Sequence, residues 1–143
     1  MRSLHRLVVA GATIIALTAV VPSVSAATER PFHLEKTCIS TTTGSLCTVT
    51  SSSFKWIPVG TEITYDGSGG YSHLVATINV KNGSATGVCD ILAAVNDPAQ
   101  LGTCTFESGT GRLTQFHLSV AVRRTADWSL WFWDGAYWFG GGD

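Results

Sequence analysis

Apolar and polar residues alternate with a period of two over long stretches of this chain. The alternation is clearest over residues 114–123, whose apolar face carries Phe116, Leu118, Val120 and Val122. Residues 73–80 repeat it, with an apolar face that carries Leu74, Ala76, Ile78 and Val80. Successive side chains of a strand point to opposite sides of a sheet, so this period predicts strands that are buried on one face. No window beyond residue 26 has the apolar spacing of a capped helix, which indicates an all-β domain.

Short segments rich in glycine and asparagine divide this pattern into strands. Asn82-Gly83 is the strongest short hairpin signal, and segments 66–70, 96–98 and 107–112 mark further turns. The predicted strands recur about every 8–12 residues, which is typical of a β-sandwich or a β-barrel. A closed barrel leaves no sheet edge exposed, so it suits a chain this rich in threonine, valine and aromatic residues.

Two predictions concern the ends of this pattern. Residues 27–34 are mostly polar and contain Pro31, so we expect a mobile lead-in or an edge segment there. Near the C-terminus we expect two last strands, residues 128–133 and 136–139, with a turn at Asp134-Gly135 between them.

The first 26 residues have the parts of a secretory signal peptide. Arg2 and Arg6 give a cationic head, residues 7–21 are apolar, and small residues follow up to Ala27. The apolar run is shorter than the ~20 residues that span a bilayer as a helix, which argues against the alternative of an uncleaved membrane anchor. We therefore expect cleavage after Ala26, no stable membrane anchor after that cleavage, and one secreted, extracellular domain over residues 27–143.

Charge and cysteine content narrow the functional classes. The formal net charge of the chain is −1, and removal of the signal peptide makes the remainder more acidic, so nucleic acid is not an expected partner. Four cysteines in an oxidising compartment predict two disulfides. Three pairings are possible; we favour Cys38–Cys47 and Cys89–Cys104, because each pair flanks a predicted turn between neighbouring strands.

Metal and cofactor chemistry have no support in the sequence. There is no Cys-x-x-Cys, and no histidine lies at zinc-finger spacing, so we expect no metal site. Segment 107–112 contains two glycines but lacks the lysine of a phosphate-binding loop, and it lies between strands. We expect no cofactor.

A few polar residues could nevertheless act in catalysis. Glu62, Tyr65 and Glu107 flank predicted strands and could project into the mouth of a barrel, where a carboxylate and a phenol could orient or protonate a substrate. His117 lies on the polar face of its strand and would be a candidate acid or base if that face lined a lumen. Nucleophilic catalysis is disfavoured, because no Gly-x-Ser-x-Gly is present and the cysteines are expected to form disulfides.

The C-terminal segment is unusually aromatic. Residues 128–139 hold four of the five tryptophans, and both faces of the expected strand 128–133 are large and apolar. One face must line the core, and the other is either covered by the fold or exposed as a surface for sugars, flat hydrophobes or a protein.

Two stretches resemble a known family. Residues 101–117 contain Leu-Gly-Thr-Cys-Thr-Phe, then Gly-Thr-Gly-Arg-Leu and an alternating strand, and residues 131–139 contain Trp-x-Trp-Asp-Gly-x-Tyr-x-Phe. This pattern, over about residues 70–139, resembles the allene oxide cyclase–dirigent superfamily, in particular its small secreted bacterial members. The resemblance implies a single antiparallel eight-stranded barrel of the calycin type with an apolar lumen. Active relatives are cyclases or stereochemical guides, but the matching positions here are turn and barrel residues, so no catalytic residue carries over.

Three functional hypotheses follow, in order of preference. The first is a secreted barrel that binds a small hydrophobic ligand in its lumen through Phe116, Leu118 and the C-terminal aromatics Trp131 and Trp133. The second is a cyclase- or isomerase-like enzyme that works mainly by shape and desolvation, with help from the polar candidates above. The third is a protein- or glycan-binding module that uses exposed tryptophans.

Overall fold

The computed structural model describes residues 27–41, 44–67, 72–91, 99 and 101–140, and it contains eight strands. They are β1 Arg30–Thr41, β2 Gly44–Ser52, β3 Glu62–Asp66, β4 Leu74–Val80, β5 Gly83–Ile91, β6 Gly102–Gly109, β7 Phe116–Arg124 and β8 Trp131–Phe139. Each strand pairs antiparallel with the next, and β8 pairs with β1, which closes the barrel. The predicted all-β fold with a single closed, eight-stranded antiparallel barrel is confirmed. The predicted turn at residues 96–98 lies outside the described residues.

The barrel has two different ends. The end at which β1, β3, β5 and β7 finish is called the pocket end, and the opposite end is called the plug end. The segment between β2 and β3 fills the plug end, where the ring of Phe54 stacks on that of Phe116 with 5.5 Å between centroids and lies 4.4 Å from that of Tyr137. Ile57 and Leu113, the latter in the short 3-10 helix Gly111–Leu113, are fully buried beside it. Apolar side chains therefore close the plug end.

Period-two alternation correctly identifies the lumen faces of β4 and β7. In β7 the four predicted apolar residues are all buried at 2 % exposure or less, and in β4 Ala76 and Ile78 are fully buried. The Asn82-Gly83 signal also holds, because Val80 and Gly83 are paired across the hairpin that joins β4 to β5.

The predicted disulfide pairing is confirmed. Cys38 lies directly opposite Cys47 on neighbouring strands, and Cys89 lies opposite Cys104 in the same way. Cys47, Cys89 and Cys104 are each at most 1 % exposed. Both bridges therefore lie inside the barrel wall and contribute to its core.

Two expectations about the chain ends are wrong. Residues 27–34 are not a mobile lead-in throughout, because β1 begins at Arg30 and pairs with β8 from there onward. Asp134-Gly135 is not a turn but the middle of the continuous strand β8. A Cβ atom on Gly135 would lie 2.0 Å from the backbone oxygen of Ser119, so this glycine permits a close approach of β7 and β8.

Candidate functional site: the lumen pocket

A pocket of about 460 Å³ opens at the pocket end of the barrel. Its volume lies within the ~300–1,000 Å³ that is usual for small-molecule sites. Apolar side chains and the Cys38–Cys47 bridge make up much of its wall, and its polar groups are two serines, a tyrosine, a lysine and an arginine. No carboxylate is present among the described residues that line it. The lining residues are Lys36, Cys38, Ile39, Ser40, Ser45, Cys47, Tyr65, Leu74, Ile91, Leu101, Val122, Arg124, Trp128 and Trp131.

Lys36 lies at the base of this pocket. It follows the buried residues Phe32 and Leu34 on the inward face of β1, and only 1 % of its surface is exposed. Its Nζ donates a hydrogen bond to Tyr65 Oη at 2.5 Å and lies 3.5 Å from the centroid of the Trp133 ring system. The amine is thus held between a phenol and an indole, without a carboxylate partner among the described residues.

Burial shifts the acid–base behaviour of both members of this pair. Removal from water lowers the pKa of the Lys36 amine well below its usual 10.5, because the charged form loses its hydration. Burial likewise raises the pKa of the Tyr65 hydroxyl, because the phenolate is the charged form. The site therefore favours a neutral amine beside a protonated phenol, which together offer a lone pair and a transferable proton.

Trp133 forms the layer beneath Lys36. Its side chain is fully buried and contacts the ring of Phe106 at 5.6 Å between centroids. Because this layer is filled by aromatic rings, a molecule reaches the Lys36 amine from the pocket end.

An arginine and two tryptophans form one side of the pocket rim. The guanidinium carbon of Arg124 lies 3.5 Å from the centroid of the Trp128 ring system, and Trp128 packs edge-on against Trp131. Nη1 of Arg124 donates to the carbonyl oxygens of Thr125 and Ala126, which fixes the guanidinium at the rim. Trp128 is 58 % exposed, so this rim presents an aromatic surface to solvent.

The polar residues singled out from the sequence do not come together. Tyr65 lies in the lumen, but Glu62 and Glu107 are exposed on the outer face, each next to an inward residue of its strand. His117 also lies on the outer face, where its ring stacks on that of Trp138 at 5.3 Å. Of the four polar candidates, Tyr65 alone lines the pocket.

The predicted ligand-binding residues are all in the barrel interior but at different depths. Trp131 lines the pocket, and Trp133 lies directly beneath Lys36. Phe116 belongs to the aromatic cluster at the plug end, and Leu118 is buried on the same strand. Neither of these two β7 residues lines the pocket.

Sequence reasoning missed Lys36, the residue with the most unusual environment. A signal was present: Phe32, Leu34, Lys36 and Cys38 occupy alternate positions, which places the lysine on the apolar face of a strand. The expectation of a mobile lead-in or an edge segment over residues 27–34 hid this register, because it separated Lys36 from Phe32 and Leu34.

The outer wall carries a separate charged cluster. Nδ1 of His33 lies 2.6 Å from one carboxylate oxygen of Asp134, and Arg123 donates through Nε and Nη2 to the other. The hydrogen bond to Asp134 raises the pKa of His33 above its usual 6.5. These side chains are between 37 and 43 % exposed, so the cluster ties β1, β7 and β8 together at the surface.

The described residues contain neither a cluster of metal-ligating side chains nor a membrane-spanning helix. No group of three or more histidine, cysteine, aspartate or glutamate residues there is placed to hold a metal ion. Within the same ranges no helix is long and apolar enough to cross a membrane.

The fold and this site define a class of protein: a closed, eight-stranded antiparallel β-barrel with a largely apolar pocket at one end of its lumen. This chain matches no model of a known protein family, no curated protein and no solved structure.

Proposed function

We propose that this protein binds a small hydrophobic molecule in the lumen pocket, with a polar group of that molecule against Lys36 and Tyr65. The observation that carries the proposal is a pocket of about 460 Å³ whose mainly apolar wall surrounds a buried amine. An apolar wall with a few convergent polar groups is the usual composition of a small-molecule site. The wall supplies affinity through burial of apolar surface, and the amine and phenol supply orientation.

We also propose that the domain is exported and cleaved after Ala26, so that it acts outside the cell. Its two disulfides are compatible with an oxidising extracellular location. The barrel, with eight antiparallel strands in sequence order, has the architecture that the resemblance to the allene oxide cyclase–dirigent superfamily implies. That agreement supports our proposal that the chain is a small secreted member of this superfamily.

Native mass spectrometry of protein purified from its own culture medium tests the binding proposal. We expect a small apolar molecule to co-purify and to be displaced by an added apolar alcohol such as 1-octanol.

Two neighbouring substitutions assign the binding to the pocket. Leu74 lines it, whereas the next residue, Val75, is 41 % exposed on the outer wall. Leu74→Trp should fill the pocket and weaken 1-octanol binding about tenfold or more, which corresponds to about 1.4 kcal/mol. Val75→Trp should leave binding unchanged. Equal binding by the two folded variants, or no binding of apolar molecules by the wild type, would contradict the proposal.

A further inference from the structure

We propose that Lys36 is a reactive amine that forms an imine with small apolar aldehydes or ketones that enter the lumen pocket. This inference rests on the proposed function, because the carbonyl compound must first bind in the pocket. It goes beyond that function, because it assigns a covalent chemistry to one named side chain.

The placement of Lys36 sets it apart from the other lysines of the chain. Lys55 and Lys81 are exposed, whereas Lys36 is 1 % exposed and still lines the pocket. With Tyr65 on one side and the Trp133 ring system on another, its amine is fixed at the base of the cavity. A carbonyl group that reaches the base of the pocket therefore lies against the amine, while its apolar tail points toward Trp131 at the rim.

Burial of Lys36 favours the nucleophilic, unprotonated form of its amine. An amine attacks a carbonyl carbon only when it is unprotonated, and a desolvated lysine without a counter-ion is the established way to achieve this near neutral pH. Burial lowers the pKa of the Lys36 amine, and no described residue that lines the pocket provides a carboxylate to hold the charged form. Lys36 thus has two features of an imine-forming lysine: burial favours its neutral amine, and the side chain lies in the wall of a pocket that can hold a carbonyl compound.

Tyr65 is placed to move the protons that the reaction needs. The Lys36 lone pair forms the C–N bond while the carbonyl π electrons move to oxygen. The Tyr65 hydroxyl protonates that oxygen and recovers a proton from the new ammonium nitrogen, which gives the neutral carbinolamine. The nitrogen lone pair then forms the C=N bond as the C–O bond breaks, and the oxygen leaves as water with a second proton from Tyr65. The phenolate takes the remaining N–H proton, so the net change is amine plus carbonyl to imine plus water.

The pocket wall selects the class of carbonyl compound. The chain of the ligand would contact Leu74, Ile91, Leu101 and Val122, none of which can pair with a polar substituent. Aldoses and other hydroxylated carbonyl compounds would lose hydration against these apolar side chains, and the two serines and Arg124 of the pocket can replace only part of it, which costs free energy. We therefore assign short alkyl or aryl aldehydes and ketones as the substrates of Lys36.

Reductive trapping tests the inference on the wild-type protein. The disulfide-bonded domain is incubated with octanal and sodium cyanoborohydride, and the alkylated lysine is located by peptide mass mapping. We expect a single octyl group on Lys36, formed about tenfold or more faster than on Lys55 or Lys81. Binding of 1-octanol, which cannot form an imine, is measured in parallel by native mass spectrometry.

Matched variants distinguish the role of the Lys36 amine from that of the Tyr65 hydroxyl group in adduct formation. Lys36→Arg should abolish the adduct, whereas Lys81→Arg should leave it unchanged. Tyr65→Phe should slow trapping on the order of 100-fold at octanal concentrations that saturate the pocket, a typical contribution of a positioned acid or base. Comparison at saturation separates this loss of proton transfer from any weaker binding that follows from the missing hydroxyl group. Circular dichroism shows which variants are folded, and the adduct position in the wild type needs no variant at all.

Each outcome bears on one of the two proposals. Binding of 1-octanol without an octanal adduct on Lys36 overturns the imine inference and leaves the proposed function standing. Adducts spread evenly over the three lysines overturn the inference as well. Failure of both 1-octanol and octanal to bind overturns the proposed function and, with it, the inference.

Discussion

Replacing Lys36 by methionine should make the domain more stable near neutral pH and should remove much of the pH dependence of its stability. Methionine has a similar length and fills the same space between Tyr65 and Trp133 without a charge to desolvate. The substitution removes the hydrogen bond to Tyr65 and the amine–indole contact, each worth about 1 kcal/mol. Replacing buried ionic groups by apolar side chains of similar volume stabilises proteins by about 1–4 kcal/mol, so after the two lost contacts the net gain should not exceed about 2 kcal/mol.

The pH dependence follows from proton counting. The amine of the unfolded chain has its ordinary pKa near 10.5, whereas the folded pKa lies well below this value. Between the two values the unfolded chain binds one more proton than the folded protein, so the free energy of unfolding rises with pH. The slope from Lys36 approaches about 1.4 kcal/mol per pH unit, and it ends near pH 10.5. Between these two pKa values the advantage of the methionine variant should therefore shrink by up to that amount for each unit of rising pH.

Urea unfolding followed by tryptophan fluorescence, at several pH values between about 7 and 9.5, measures this difference. Lys81→Met, at an exposed position of the hairpin turn, is the control and should follow the wild type at every pH. Parallel pH profiles for the wild type and Lys36→Met would refute the reasoning. So would a methionine variant less stable than the wild type at every pH, since the amine would then be stabilising the fold.

Three further predictions address the barrel itself. In NMR titrations the pKa of His33 should lie above 6.5, and Asp134→Asn should lower it toward that value. The stabilisation that the His33–Asp134 pair gives the fold is present below about pH 6.5 and falls as the pH rises through the folded pKa of His33. It should stay under about 1 kcal/mol, because the pair is partly exposed. Gly135→Ala should lower the free energy of unfolding, measured with denaturant, by about 3 kcal/mol or more, because the new Cβ would lie 2.0 Å from the Ser119 backbone oxygen. Ala136→Gly, at the next position, should lower it by only about 1 kcal/mol. Replacing Cys89 and Cys104 together by alanine should lower stability by about 3 kcal/mol, as expected for a bridge between cysteines 15 residues apart; an unchanged unfolding midpoint would contradict the buried position of that bridge.

The strands that the sequence predicts well are those whose two faces differ most in polarity. β4 and β7 present apolar residues to the lumen at every second position, so periodicity alone places them. β1 was hidden because its outward residues include Pro31, His33 and Glu35, which give the segment a polar appearance. These residues face outward on a strand that pairs with β8, and His33 forms a hydrogen bond with Asp134 of that strand.

Two single residues show where local chemistry is ambiguous. Asp-Gly is a common turn signal, but Gly135 is required because β7 and β8 approach closely at that point. Lysine is a typical surface residue, so the residue type alone does not indicate that Lys36 is buried. The alternation with Phe32 and Leu34 places Lys36 on the apolar face of β1, but closure of the barrel is what makes this face the wall of a pocket.

The candidate site was predictable only in outline. An apolar lumen, and Tyr65 and Trp131 as residues near it, were expected from the sequence. Glu62 and Glu107 were expected near a barrel mouth, yet the adjacent residues Ile63 and Phe106 are the inward ones, so both carboxylates face outward. A shift of one position in strand parity is enough to exchange the lumen for the outer surface.

A crystal structure of the protein with 1-octanol would show whether the lumen pocket binds an apolar molecule. We expect electron density for the octyl chain inside the pocket beside Leu74 and Trp131, with the hydroxyl group within hydrogen-bond distance of Lys36 Nζ and Tyr65 Oη. A lumen filled by the protein's own side chains, or an alcohol bound only on the outer wall, would contradict this expectation.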